Sequence, residues 1–169
     1  MITTAGIDDI PELTRLVNSA YRGDASRKGW TTEADLLEGE LRTDDHSLLQ
    51  SLKNPNAVIL KFVSSDLITG CVFLEKQGNA LYLGMLSVSP TVQAQGIGKK
   101  LLSAAEEYAA RRGCQSIVMT VISLRHELID WYERHGYKRT GHTKPFAQND
   151  RFGKPRQPLQ FVVLEKKLT

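Results

Sequence analysis

Gln93-Ala94-Gln95-Gly96-Ile97-Gly98, running on into Lys99-Lys100-Leu101-Leu102, is the stretch whose reading decides the fold. It lies between a strand-like run, Ala80 to Val88, and a helix-like run that continues to about Arg112. A strand, a glycine-bearing turn and a helix start together make an anion site. The first amides of a helix have no intrahelical partner, and the helix dipole adds positive potential there. Glycine removes the Cβ that would hold a phosphate off the backbone. A phosphate-bearing ligand is therefore expected. A dinucleotide fingerprint needs a small residue three places after its second glycine, where this chain has Leu101. A Walker loop needs a glycine five places before its Gly-Lys pair and a Ser or Thr after it; those positions hold Gln93 and Lys100.

Bulk properties narrow the classes. A chain of 169 residues, 41% hydrophobic and 24% charged, is expected to form one domain with a sizeable core. No apolar run approaches the roughly 20 residues that span a bilayer. Met1-Ile2-Thr3-Thr4-Ala5 lacks the basic and apolar regions of a signal peptide, so a cytoplasmic protein with no membrane partner is the default. Cys71 and Cys114 form no metal or redox spacing and read as core thiols, and no metal is expected. A net charge of +3 is too small to argue for nucleic acid.

Outward from the glycine turn, the periodicity divides the chain. Asp8 or Asp9 caps a first helix with Pro11 in its first turn, and Ile10, Leu13, Leu16, Val17 and Ala20 recur at helical spacing. Thr32-x-x-Asp35 has the form of a capping box for a second helix to about Leu41. Asp44 or Asp45 starts another, ending before Pro55. Val58 to Val63 and Leu67 to Leu74 read as strands joined by a Ser-Ser-Asp turn, and Gln77-Gly78-Asn79 marks the next hairpin. Gly84, inside the following strand, is the expected place of a bulge by its residue type. After the turn, Ile97, Leu101, Leu102, Ala105, Tyr108 and Ala109 share one helix side, stopped by Gly113. Ser116 to Val121 is a central buried strand, and Leu124 to His135 is helical, ended by Gly136. Tyr137 onward and Leu159 to Leu168 form the last two strands, with a long irregular connection between them.

The glycine stretch fits Gln/Arg-x-x-Gly-x-Gly/Ala and resembles the pyrophosphate loop of the GNAT superfamily of N-acetyltransferases. Leu86-Ser87-Val88-Ser89-Pro90 through Leu102 is similar to that superfamily's strand, loop and helix. Asp130-Trp131-Tyr132-Glu133-Arg134-His135-Gly136-Tyr137 resembles its Leu-Tyr-Glu-Lys-x-Gly-Phe segment, and the element order matches along essentially the whole chain. The resemblance implies a single α/β (α+β) domain over residues 1–169. Its mixed central sheet would have about seven strands, splayed between strands four and five and flanked by helices. It implies acetyl-CoA as co-substrate, held by Gln93, Gln95, Gly96, Ile97, Gly98 and Lys99, with Leu86, Ser87 and Val88 along the pantetheine arm. It also implies Tyr132 as the acid that protonates the departing thiolate, a role open to a phenol that is neutral at physiological pH.

Two positions depart from the family pattern. Arg125 stands where many members carry a cofactor-contacting Asn, and Tyr82 where many carry a basic glutamate. Arg125 is kept as a cofactor contact; Glu75, His126, Glu127 and Asp130 are substitute bases. The acceptor is expected to be a small-molecule primary amine docking between Tyr21–Trp30 and Lys144–Arg156 on a monomer or homodimer. An anionic group on it would gain from Arg22, Arg27, Lys28 or Arg151. A CoA-binding module of this fold with weak or no catalysis, and a protein N-terminal or lysine acetyltransferase, remain alternatives.

Overall fold

A computed structural model describes residues 1–147 and 150–168. The elements are β1 (Ile2–Thr4), α1 (Ile10–Tyr21), α2 (Gly23–Ser26), β2 (Leu37–Glu38), α3 (Asp45–Lys53), β3 (Ala57–Ser64), β4 (Leu67–Gln77), β5 (Ala80–Val88), α4 (Ile97–Arg111), β6 (Ser116–Ile122), α5 (His126–Arg134), β7 (Lys138–Pro145), β8 (Lys154–Pro155) and β9 (Gln160–Lys167). Seven strands form the main sheet in the order β1-β3-β4-β5-β6-β9-β7, and β2 pairs with β8 apart from it. Only the β5–β6 pairing is parallel, so the sheet is mixed.

The helices form where apolar spacing and caps agree. In α1 the expected face is buried whole: Ile10, Leu13, Leu16, Val17 and Ala20. Asp44 caps α3 by accepting from the Ser47 amide at 2.8 Å. α1 and α3 cover one sheet face, with Ile59, Ile68 and Cys71 beneath them. α4 and α5 cover the other, where Ile97, Leu101, Leu102 and Ala105 meet Leu83, Ile117 and Leu164. Each large side chain buried there contributes about 1.5–3 kcal/mol. Both cysteines are buried and free.

The sheet parts where the site forms. β5 and β6 pair only from Ala80–Tyr82 to Ser116–Val118, and then diverge. The fourth and fifth strands of the main sheet are thus splayed, as the resemblance implied. Divergence follows from a bulge in β5. Cys71 faces Ser87 and Phe73 faces Gly84, so Met85 and Leu86 stand opposite Val72 alone. The bulge therefore falls on Met85, at φ 57°, and not on Gly84. Gly84 has another purpose: a Cβ there would lie 2.9 Å from the Tyr82 ring.

Two further expectations change. The segment expected as a helix from Thr32 to Leu41 makes a single turn and then the short strand β2. The Thr32 hydroxyl accepts from the Ala34 amide only two residues on, a local turn that competes with helix. Leu37 and Glu38 are then taken by Pro155 and Lys154. Conversely, the polar connection after Tyr21 contains the short helix α2. Residues 148 and 149 of the expected Lys144–Arg156 acceptor segment lie outside the described residues.

Candidate functional site

Residues of the glycine stretch line a cavity of about 250 Å³ between the end of β5, the start of α4 and α5. The first backbone bond of α4 runs from the Lys100 N–H to Gly96 O at 3.0 Å, leaving the amides of Ile97, Gly98 and Lys99 without intrahelical acceptors. Gly96 adopts φ 80°, a conformation glycine reaches at no steric cost. Gly98 admits Trp131, which a Cβ would approach to 3.3 Å. No acidic residue occupies the first turn of α4, and no carboxylate is among the described lining residues. Lys99 and His135 border the cavity. A polyphosphate fits this donor set.

The side chain of Gln93 closes the loop onto the rest of the fold. Its Oε1 accepts from the Trp30 amide at 2.8 Å, and its Nε2 donates to Thr31 Oγ1 at 2.9 Å and Val88 O at 3.0 Å. Gln93 thus organises the site through its side chain, pinning the Trp30–Thr31 segment over it. Trp30 and Trp131 lie 6.0 Å apart, and Trp131 packs 4.3 Å from His135.

A second cavity, of about 360 Å³, opens between the splayed strands. Its charged wall is a buried triad. Glu33 Oε1 meets Arg22 Nε at 3.1 Å, and Oε2 meets Arg125 Nη1 at 2.9 Å. Glu33 and Arg22 are 6% and 5% exposed. Burial pulls the Arg22 pKa down, Glu33 working against it, and the guanidinium remains a cation. Arg22 also donates to Leu41 O at 2.9 Å and to Phe152 O. The guanidinium carbons of Arg125 and Arg42 stand 5.5 and 5.8 Å from the Tyr21 ring centroid.

The two cavities meet at Tyr21, Leu86, Leu128 and Tyr132, which border both. Tyr21 donates its hydroxyl proton to Leu86 O, and burial pushes its pKa up to about 12. Tyr132 is 5% exposed, and burial raises its pKa well above the ordinary phenol value. Its proton is therefore retained across the physiological range and beyond. Among the described residues, the one sealed side-chain polar atom without a partner is the Tyr137 hydroxyl.

The expected site residues divide. Leu86, Val88, Gln93, Gly96, Ile97, Gly98, Lys99 and Tyr132 share the smaller cavity. Ser87 is buried away from it and donates to Met85 O at 3.0 Å, while Gln95 is exposed outside the lining. Arg125 borders the larger cavity instead, turned toward Glu33 and Thr31 O. Tyr82 lines that cavity too. The substitute bases lie elsewhere: Glu75 accepts from Asn54 at 2.6 Å, and His126, Glu127 and Asp130 are exposed. Of the expected acceptor cations, Arg22 is in the triad, Arg27 pairs with Asp35 at 2.8 Å, Arg151 pairs with Asp44 at 2.8 Å, and Lys28 is exposed outside both linings. Glu33 and Arg42 were not among the expected site residues, and Trp131 and His135 were expected only as members of the segment around Tyr132. One signal was present: Leu128, Trp131, Tyr132 and His135 recur at helical spacing, which sets all four on the Tyr132 side of α5.

The model of the Acetyltransferase (GNAT) family matches residues 11–137. An acetyltransferase of Agrobacterium fabrum is 34% identical over 67 residues, which is 40% of this chain and 47% of that protein, so the match spans under half of the relative's length. The crystal structure of a ribosomal-protein-alanine N-acetyltransferase from Brucella melitensis superposes with a TM-score of 0.74 at 19% identity, covering 99% of each chain. A putative acetyltransferase of Salmonella typhimurium, solved with its cofactor acetyl-CoA, gives 0.72 at 18% identity over 100% of this chain and 94% of its own.

Proposed function

This chain belongs to the acetyltransferase (GNAT) family, and from that premise we propose that residues 1–169 work as one domain moving an acetyl group from acetyl-CoA to a primary amine of a small molecule. Transfer is direct, with both substrates bound together. The observation that carries the reading is the meeting of the two cavities at Tyr132. Acetyl-CoA supplies an activated thioester. The unpaired amides of Ile97, Gly98 and Lys99 bind its pyrophosphate. Leu86 and Val88 lie along its arm, and Trp131, Leu128 and Tyr132 wall it on the α5 side. The Salmonella relative's bound acetyl-CoA supports the same ligand here.

The new N–C bond forms as the C–S bond breaks, so one proton must leave the amine and one must reach sulfur. Tyr132 holds the second proton, since burial keeps its phenol neutral. For the first, the described lining of both cavities holds a single carboxylate, Glu33, and both its oxygens are taken by arginines. The amine therefore arrives neutral or gives its proton to water. A cavity of about 360 Å³ is at the lower end of ligand-pocket sizes, which favours a small molecule over a folded protein's tail.

A CoA-release assay with acetyl-CoA and a panel of amino acids, polyamines, aminoglycosides and peptides tests the proposal. A melting curve with millimolar acetyl-CoA runs beside it, because ligand that binds only the native state must stabilise it. A stabilised protein with turnover on a small amine is the expected result. An unshifted curve removes the cofactor assignment, and turnover confined to peptides moves the acceptor to protein.

A further inference from the structure

We propose that the acceptor amine also carries a carboxylate, and that Arg42 is the residue that holds it. The inference rests on the acetyl-transfer reading and names the acceptor class for it. The described wall of the larger cavity bears three cations, Arg22, Arg42 and Arg125, against one anion, Glu33. Glu33 is spent: one oxygen serves Arg22 and the other Arg125. Arg42 is half-buried at the same cavity and has no carboxylate partner among the described residues. A guanidinium partly removed from water without a counter-charge is in an unfavourable state, and a ligand carboxylate relieves it.

Arg42 is placed by its backbone. Its own amide and that of Thr43 both donate to Asn18 Oδ1, at 2.5 and 2.9 Å, and Asn18 Nδ2 returns a bond to Thr43 O at 3.1 Å. Asn18 lies in α1, one turn before Tyr21. The guanidinium is thus free to use its fork of donors, which matches a carboxylate bidentately. Tyr21 sets the scale. The Arg42 guanidinium carbon is 5.8 Å from its ring, and its hydroxyl reaches Leu86 O where the cavities meet. On the acetyl-transfer reading, the single side chain of Tyr21 bridges Arg42 and the place where the cavities meet, a span suited to one amino acid and not to an extended polyamine. Leu83, Met85, Met119, Phe146 and Phe161 supply apolar walls for a side chain. An amino acid with an apolar side chain satisfies the charge, span and walls together, whereas a polycation meets three arginines.

The test compares matched pairs that differ in the carboxylate: leucine against 3-methylbutylamine, and phenylalanine against 2-phenylethylamine. CoA release gives kcat/KM for each, with wild type, Arg42→Gln and Arg42→Lys confirmed folded by circular dichroism. Wild type should prefer the amino acids by roughly tenfold or more, the range of a charge-assisted hydrogen bond. Arg42→Gln should erase the preference by raising acceptor KM and leaving the acetyl-CoA KM alone, and Arg42→Lys should restore part of it. Equal or better use of the decarboxylated amines by wild type overturns the proposal, as does an unchanged preference in Arg42→Gln. Calorimetry with N-acetyl-leucine and the CoA-loaded protein reads the anion site apart from turnover: binding to wild type that Arg42→Gln loses supports it, and no binding to wild type overturns it. Absence of CoA release from every amine, with acetyl-CoA still stabilising the protein, refutes the transfer reading instead.

Discussion

Glu33→Gln removes the one anion between two buried guanidiniums, and its cost follows from the geometry. The carboxylate accepts from Arg22 at 3.1 Å and from Arg125 at 2.9 Å, at a site where Glu33 is 6% exposed. A glutamine offers one acceptor oxygen. Its NH₂ must then face the donors of the other arginine, so one charge-assisted bond is lost and a cation is left buried. Breaking a buried pair in this way costs about 3–5 kcal/mol, a large share of the 5–15 kcal/mol that holds a domain folded. For a chain of this size the midpoint of thermal unfolding should fall by roughly 6–20 °C. Arg125→Gln should cost less, because Glu33 keeps Arg22 and no unpaired charge is created. Urea unfolding of wild type and both variants measures the difference, and acetyl-CoA melting shifts report whether the site follows. A Glu33→Gln loss under about 1 kcal/mol, or a larger loss in Arg125→Gln, would refute the reasoning that the triad is a neutralising unit and not a surface-like contact.

The other predictions concern single groups. Tyr132→Phe keeps the ring and removes the proton, so turnover should fall roughly 10²-fold with cofactor affinity little changed; equal turnover would make Tyr132 a packing residue. With its pKa raised, the wild-type acid form persists as pH rises past the ordinary phenol value, so initial rates should show no alkaline loss from this group below about pH 10. Gly98→Asp places bulk against Trp131 and negative charge among the α4 amides, and should abolish the acetyl-CoA melting shift while circular dichroism stays native. Tyr137→Phe deletes the sealed, unpartnered hydroxyl and should raise stability by about 1 kcal/mol in urea unfolding. Asp44 is held down at about 2 by the Ser47 amide first, then the Ser47 hydroxyl and Arg151. Its contribution is present above the ordinary value of 3.8 and fades as pH falls through about 2, so the stability gap between wild type and Asp44→Asn should close over that window.

What this sequence determined alone is what neighbours along the chain decide. The α4 turn, with Gly96 at φ 80° and an apolar stripe from Ile97 to Ala109, is specified within about fifteen residues. The α1 face and the β3–β4–β5 hairpins are legible for the same reason, since periodicity and turn residues act locally. The place of Tyr132 beside the glycine stretch was legible because its distance from that stretch matches a family pattern. Tertiary structure decided the rest. Thr32–Asp35 has the local form of a helix start, yet Leu37 and Glu38 zip onto Pro155 and Lys154 from far along the chain. Arg125 carries no local mark of its partner: it turns from the smaller cavity to Glu33, 92 residues away, because a buried carboxylate is stable only with its charge matched. The bulge at Met85 and the parting of β5 from β6 depend on which strand lies opposite, and so does the cavity between them. Arg42 gains meaning there alone, where burial and the company of other charges make one arginine available among several that are spent.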